Sequence, residues 1–277
     1  MQIRRRQFLQ AAALALPLRA RPHGLRIGVT DWNLRKTGSL DALALAKSLG
    51  FDGVEVSLGR KPAGGKLPLD NREIQEKYLA EARQRQIAMA GTCLDVLHVN
   101  YLKNDKLALQ WLADGIRVTQ VLKARVMLLP FFGKGAIESR PEMEYVAGAI
   151  REVAPQAEKA GVLLGLENTI SAKENVFIMD RVGSPALKVY YDVGNSTVAG
   201  FDPVTEIRWL GRDRICQFHL KDNPHYLGEG KIDFTAVMRE IKALRFEGFA
   251  NLETSSPSDS VERDMDRNLR YVRSLAA

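Results

Sequence analysis

The sequence predicts an α/β protein of the (β/α)8 class, a TIM barrel, and three observations carry that prediction. From Leu25 onward one unit recurs: a short apolar run, a polar turn, then a helical pattern. The apolar runs are nearly continuous rather than alternating, as in strands of a parallel sheet buried on both faces. Eight such units within about 250 residues match a closed barrel better than an open doubly wound sheet.

The expected strands are 26–30, 53–57, 87–92, 125–129, 162–167, 188–192, 214–219 and 248–253, rich in Val, Ile, Leu and Phe. Between them, helical periodicity covers 40–49, 71–85, 107–122, 142–159, 234–244 and 261–275, with shorter patterns at 175–181 and 203–210. Ser39 and Asp70 stand where N-caps of the first two helices belong. Gly50, Gly161 and Gly248 lie between a helical pattern and the next strand, where a left-handed residue often closes a helix. No Pro/Gly/Ser-rich linker divides the chain. The first strand ends Gly28-Val29-Thr30-Asp31-Trp32, without the phosphate-binding glycine turn of a dinucleotide fold. Walker-type loops, Gly-x-Ser-x-Gly elbows and His-Glu-x-x-His helices are also absent from the sequence.

The composition of the 277 residues, 45% hydrophobic and 26% charged, is that of an ordinary globular protein. It excludes disorder, collagen and a disulfide scaffold, and no apolar run reaches the roughly 18 residues of a membrane span. The net charge of +7 is concentrated at one end. Arg4, Arg5, Arg6, Arg19 and Arg21 precede any acid, and without them 35 basic residues face 33 acidic ones. A body so near neutrality has no electrostatic reason to bind nucleic acid.

Residues 1–21 read as an export signal: Arg5-Arg6-Gln7-Phe8-Leu9 resembles the twin-arginine signal, and a short apolar run follows to Leu18. The expected location is therefore periplasmic or extracellular, with the barrel domain at 25–277 and no stable membrane association. That route carries proteins that are already folded. Cys93 and Cys216 fall in apolar strand runs and are expected as buried free thiols.

Barrel active sites lie at the C-terminal ends of the strands, so the polar residue that ends each apolar run matters most. In the second half these residues are Glu167, Asp192, His219 and Glu253, spaced 25, 27 and 34 apart, about one βα unit each. A single such carboxylate can cap a helix or pair with a lysine. Four polar ends on four successive strands imply convergence on one ion. Three carboxylates and an imidazole are a hard donor set, suited to Mn2+ first, then Mg2+ or Co2+, rather than to structural zinc.

These segments resemble the xylose-isomerase-like barrel superfamily, in its sugar phosphate isomerase/epimerase branch. The likeness spans roughly 25–275. It rests on Gly-Leu-Glu-Asn at 165–168, Asp-Val-Gly-Asn at 192–195, His-Leu-Lys-Asp at 219–222, Leu-Gly-Glu-Gly-Lys-Ile-Asp-Phe at 227–234, and Glu253. In ketose epimerases of that branch, the positions matching Glu167, Asp192, His219 and Glu253 hold the metal, and the two glutamates face opposite sides of the substrate carbon. The resemblance thus implies Glu167 and Glu253 as the catalytic pair. The metal would act as a Lewis acid on the enediolate left by proton loss. One glutamate would take the proton and the other return one from the opposite face.

Supporting substrate contacts are expected from Glu55 at the end of the second strand, from His98 after the third, and from Lys221 and Asp222 after the metal histidine. Asn195 stands where several relatives carry a substrate-contacting histidine. Glu229 and His225 are placed to border the pocket, and Trp32 with Phe131 and Phe132 to stack on a sugar ring. The expected function is a metal-dependent isomerase or epimerase acting on a small sugar. The alternative is a lyase or hydratase acting on 3-keto-sugars through the same proton abstraction. A DNA-repair endonuclease of the superfamily needs a richer histidine set than His23, His98, His219 and His225, and a non-catalytic sugar-binding barrel would be expected to have lost some ligands. The resemblance is also compatible with a homo-oligomer.

Overall fold

In a computed structural model describing residues 24–276, eight strands pair in parallel and in chain order. They are β1 (Leu25–Thr30), β2 (Gly53–Ser57), β3 (Ala88–Cys93), β4 (Val126–Pro130), β5 (Leu163–Glu167), β6 (Leu187–Asp192), β7 (Ile215–Leu220) and β8 (Gly248–Leu252). β8 pairs back onto β1, with Gly28 opposite Asn251, so the sheet closes into a (β/α)8 TIM barrel. The twin-arginine-like segment lies outside the described residues.

The connecting helices are α1 (Asp41–Leu49), α2 (Arg72–Arg85), α3 (Leu107–Val121), α4 (Arg140–Ala160), α5 (Ala172–Val182), α6 (Val193–Val198), α7 (Pro203–Leu210), α8 (Phe234–Ala243) and α9 (Val261–Ala276). Their apolar stripes pack on the outward-facing strand residues. Val54, Leu129 and Phe218 from the sheet join Leu112, Ile116, Val146, Ile150 and Ile241 from the helices in one core. Among the described residues, no helix is long and apolar enough to cross a membrane.

Local chemistry sets the helix ends, and four expectations about them need correction. The Asn71 side chain, not that of Asp70, accepts the Ile74 amide and caps α2, while Asp70 pairs with Arg117 on α3 at 2.7 Å. Leu40 occupies the α1 N-cap, and Ser39 supports the first turn by accepting the Asp41 amide. α5 starts earlier than its periodicity suggests because Ser171 and Glu174 form a reciprocal capping box, as Ser139 and Glu142 do for α4. Gly50 and Gly161 close their helices in the left-handed region as expected. After α8 that conformation falls on Arg245, and Gly248 opens β8 instead.

Asp31, just after β1, ties the barrel mouth together. Its Oδ2 accepts the amides of Gly38 at 3.0 Å and Ser57 at 3.2 Å, and the residue is fully buried. Burial outweighs those hydrogen bonds and pushes its carboxyl from 3.8 up to about 7. Between those values the folded chain keeps a proton that the unfolded chain has released. Stability therefore falls as pH rises through that window, by about 1.4 kcal/mol per unit. Asp31→Asn is expected to flatten this slope in urea unfolding followed between pH 4 and pH 8. An unchanged slope would refute the assignment.

Candidate metal centre

Strand register assembles the site. Asp192, the last residue of β6, is paired with His219 of β7, while Glu167 ends β5 and Glu253 follows β8 directly. Each inward-pointing side chain at a strand's upper end reaches the barrel axis, so four strands deliver four donors to one place. The donor atoms of Glu167, Asp192, His219 and Glu253 all lie within 4.8 Å of one another. The His219 Nδ1 sits 2.9 Å from Glu167 Oε1, 3.4 Å from Glu253 Oε2 and 3.8 Å from Asp192 Oδ2.

Neighbouring side chains hold these donors in place. Trp32 Nε1 donates to Glu253 Oε1 at 3.0 Å. Asn195 donates through its backbone N–H to Asp192 Oδ1 at 2.8 Å, and its Nδ2 reaches Asp192 Oδ2 at 3.0 Å and Glu167 Oε1 at 3.4 Å. The same backbone bond makes Asp192 the N-cap of α6, a helix the sequence pattern does not announce. Lys221 places its ammonium 2.7 Å from Asp192 Oδ2 and 2.5 Å from Glu253 Oε2. A Cβ on Gly194 would stand 2.4 Å from the Lys221 Cγ, so that glycine gives the lysine its path.

The electrostatics are those of crowded acids around cations. Burial and the carboxylates of Glu167 and Glu253 push Asp192 up to about 7, although Lys221 and His219 pull it down. Glu253 resists burial because His219 and Lys221 face it, and it is held down at about 2. Burial disfavours charge on His219, but Glu253, Glu167 and Glu55 outweigh it and raise the imidazole well above its ordinary value. The oxygen-rich donor set fits a hard divalent cation, and Lys221 shows where the site already concentrates positive charge.

Above these donors opens a cavity of about 580 Å3, with Glu167, Glu253, Asn195 and Lys221 on its floor. His98 and Phe132 stack at 6.4 Å along one wall, and Trp32 borders it. Phe131 instead turns into the core. Ser57, Arg60 and Asp95 also line the cavity, with the Ser57 hydroxyl hydrogen-bonded to Asp95. Sequence reasoning missed these three. Asking of β2 and β3 the strand-end question put to the second half would have found Ser57 and Asp95.

Four residues expected at the pocket are placed otherwise. Glu55 is fully buried beneath His219, inside the barrel, and does not line the cavity. Asp222 turns away and accepts the amides of Gly228, Gly230 and Lys231 at 2.9 to 3.2 Å, folding the loop after β7. Glu229 lies exposed in that loop and pairs with Arg267 of α9, and His225 is exposed outside the cavity. Cys93 and Cys216 are buried free thiols.

A family model described as "Xylose isomerase-like TIM barrel" matches residues 43–275. The chain belongs to that family. Among its relatives, the 2-epi-5-epi-valiolone 7-phosphate 2-epimerase of Actinoplanes sp. is 29% identical over 230 residues, which are 79% of this chain and 82% of that one. Among solved structures, the D-allulose 3-epimerase of Methylomonas sp. superposes with a TM-score of 0.74 at 16% identity, covering 92% of this chain and 99% of the other. The 3-keto-D-glucoside 4-epimerase of E. coli gives 0.72 at 15% identity over 90% and 99%. At such identities the structural likeness concerns the fold.

The placement of Asp222 makes a test. Asp222→Ala removes the acceptor of three loop amides. It is expected to speed hydrogen exchange at Gly228, Gly230 and Lys231 by about tenfold or more while the barrel amides keep their protection. Unchanged exchange at those three positions would show that the loop is held by something else.

Proposed function

We propose that the protein is a divalent-metal-dependent sugar epimerase or isomerase. The observation that carries this reading is the convergence of four ligand atoms, one per successive strand end, within 4.8 Å beneath a cavity of about 580 Å3. The epimerase names of its relatives support the reaction class. Glu167, Asp192, His219 and Glu253 would hold the ion, with Mn2+ the best match to the donor set and Mg2+ or Co2+ close behind. When bound, a divalent ion supplies Lewis acidity to a substrate oxygen beside the reacting carbon.

The chain's own residues do the rest. Glu167 and Glu253 both reach the cavity floor, where one takes a proton from the carbon next to a carbonyl and the other returns one. Trp32 fixes the Glu253 carboxylate by its Nε1–H, so the proton-carrying oxygen is aimed rather than free to rotate. Lys221 keeps its ammonium charged among Asp192, Glu253 and Glu167, ready to donate a hydrogen bond to a substrate oxygen. His98, Asp95 and Arg60 ring the far wall with donors and acceptors suited to hydroxyl groups. The stacked His98 and Phe132 offer an apolar face to a sugar ring. The twin-arginine-like segment supports export of the folded, ion-loaded protein to the periplasm or beyond.

Purified protein is expected to carry about one divalent ion per chain. Glu167→Gln and Glu253→Gln should keep the wild-type circular dichroism but lose turnover by about a hundred- to ten-thousand-fold. The assay incubates keto- and aldo-sugars in heavy water. Solvent deuterium at an inverted carbon supports epimerisation, whereas release of an aglycone moves the reading to a lyase. Full activity after metal stripping, or in either variant, overturns the mechanism.

A further inference from the structure

Barrel interiors are ordinarily filled by layers of branched apolar side chains. Here the layer directly beneath the ligands is polar. Side chains two residues apart on a strand share a face, so the residues below Asp192, His219 and Glu253 are Tyr190, Gln217 and Asn251. Glu55 of β2 joins them, and all four are buried. Three donors converge on the single oxygen Oε2 of Glu55: the Tyr190 hydroxyl at 2.7 Å, His219 Nε2 at 2.8 Å and Asn251 Nδ2 at 3.1 Å. Asn251 Nδ2 also lies 2.7 Å from the Tyr190 hydroxyl oxygen, and the Tyr190 ring packs on the imidazole with centroids 4.5 Å apart.

The neighbouring strands leave room for this layer. A Cβ on Gly28 would fall 2.0 Å from Asn251 Oδ1, and one on Gly91 would meet Gln217 Oε1 at 3.0 Å. Polar groups placed so deep lose their hydration and return only what their mutual hydrogen bonds supply, so an apolar filling would be the less costly solution. The arrangement makes sense through His219, the one member of the upper layer that it touches through a ring nitrogen.

We propose that Glu55 is the positioning residue of the metal histidine, with Tyr190 and Asn251 holding its carboxylate in place. Taking the Nε2–H fixes a proton on that nitrogen and holds the ring so that Nδ1 is the nitrogen facing Glu167, Asp192 and Glu253. The carboxylate also raises the basicity of the ring, which strengthens Nδ1 as a donor. Glu55 thereby acts on the ion through His219 without touching either the ion or the substrate. This rests on the reading of the four residues as a metal site.

The test is calorimetric titration of metal-stripped protein with Mn2+ and Co2+, which needs no substrate. Glu55→Gln keeps the size and an acceptor but not the charge, and is expected to weaken binding by about ten- to a hundred-fold with unchanged circular dichroism. Tyr190→Phe, a milder change, should weaken it by about fivefold by freeing the carboxylate, and it decides the matter if the first variant does not fold. Affinity within twofold of wild type in the folded Glu55→Gln protein, or in Tyr190→Phe where that variant decides, would overturn the positioning role and leave the proposed function standing. Wild-type protein that binds neither ion would overturn both.

Discussion

The constraint on which the site depends is the crowding of three carboxylates, two buried and one half-buried, around one imidazole. At 4 Å and an effective dielectric constant near 20, two like charges repel by about 4 kcal/mol. Such a group forms only if cations or protons are held among the acids. The structure distributes both. Glu253 faces His219 and Lys221 and keeps its charge, while Asp192, deeper among the other acids, leans toward its protonated form. Trp32 and Asn195 then fill remaining acceptor positions with neutral donors.

A parallel barrel can gather such a group because its closure brings the upper ends of distant strands to one axis. Asp192 and His219 are 27 residues apart, yet they are register partners on adjacent strands. The same period of two that aims these residues inward also fixes what lies below them. A designer of barrel stability would place leucine or valine at Tyr190, Gln217 and Asn251. Their polarity is intelligible only as support for the layer above, and the small residues at Gly28 and Gly91 are the space that support requires. Function in this fold therefore reaches one layer deeper than the residues lining the cavity.

Much of this was legible from sequence because the fold repeats. Eight apolar runs gave the strands within a few residues, and the polar ends of the last four named the candidate group whose donor atoms the structure brings together. What escaped reading depended on side-chain direction and loop folding. Glu55 stands two residues before the end of β2, so strand parity puts it inside the barrel one step beneath the mouth, where Ser57 reaches the cavity instead. Asp222 looks like a substrate contact beside His219. Only the fold of the following loop shows three backbone amides directed at it. The cap of α2 shifted by one residue because Asp70 found a stronger partner in Arg117, a contact across 47 positions that no local pattern records.

Lys221 is the residue whose position says most about how the centre works. An ammonium is a single point charge, and here it serves Asp192 and Glu253 while Glu167 is left to His219. His219 and Lys221 thus share the three acids between them, with Glu253 facing both. A doubly charged ion shared by all four donors would offset two of the three negative charges at once and leave the ammonium available to a substrate oxygen at the cavity floor. The small Gly194 that lets Lys221 reach this point is then part of the same arrangement, since any side chain there would drive the lysine off both acids. On this argument the Gly of Asp-Val-Gly-Asn and the Lys of His-Leu-Lys-Asp are one device, split between the segments that follow β6 and β7 and brought together by the pairing of those strands.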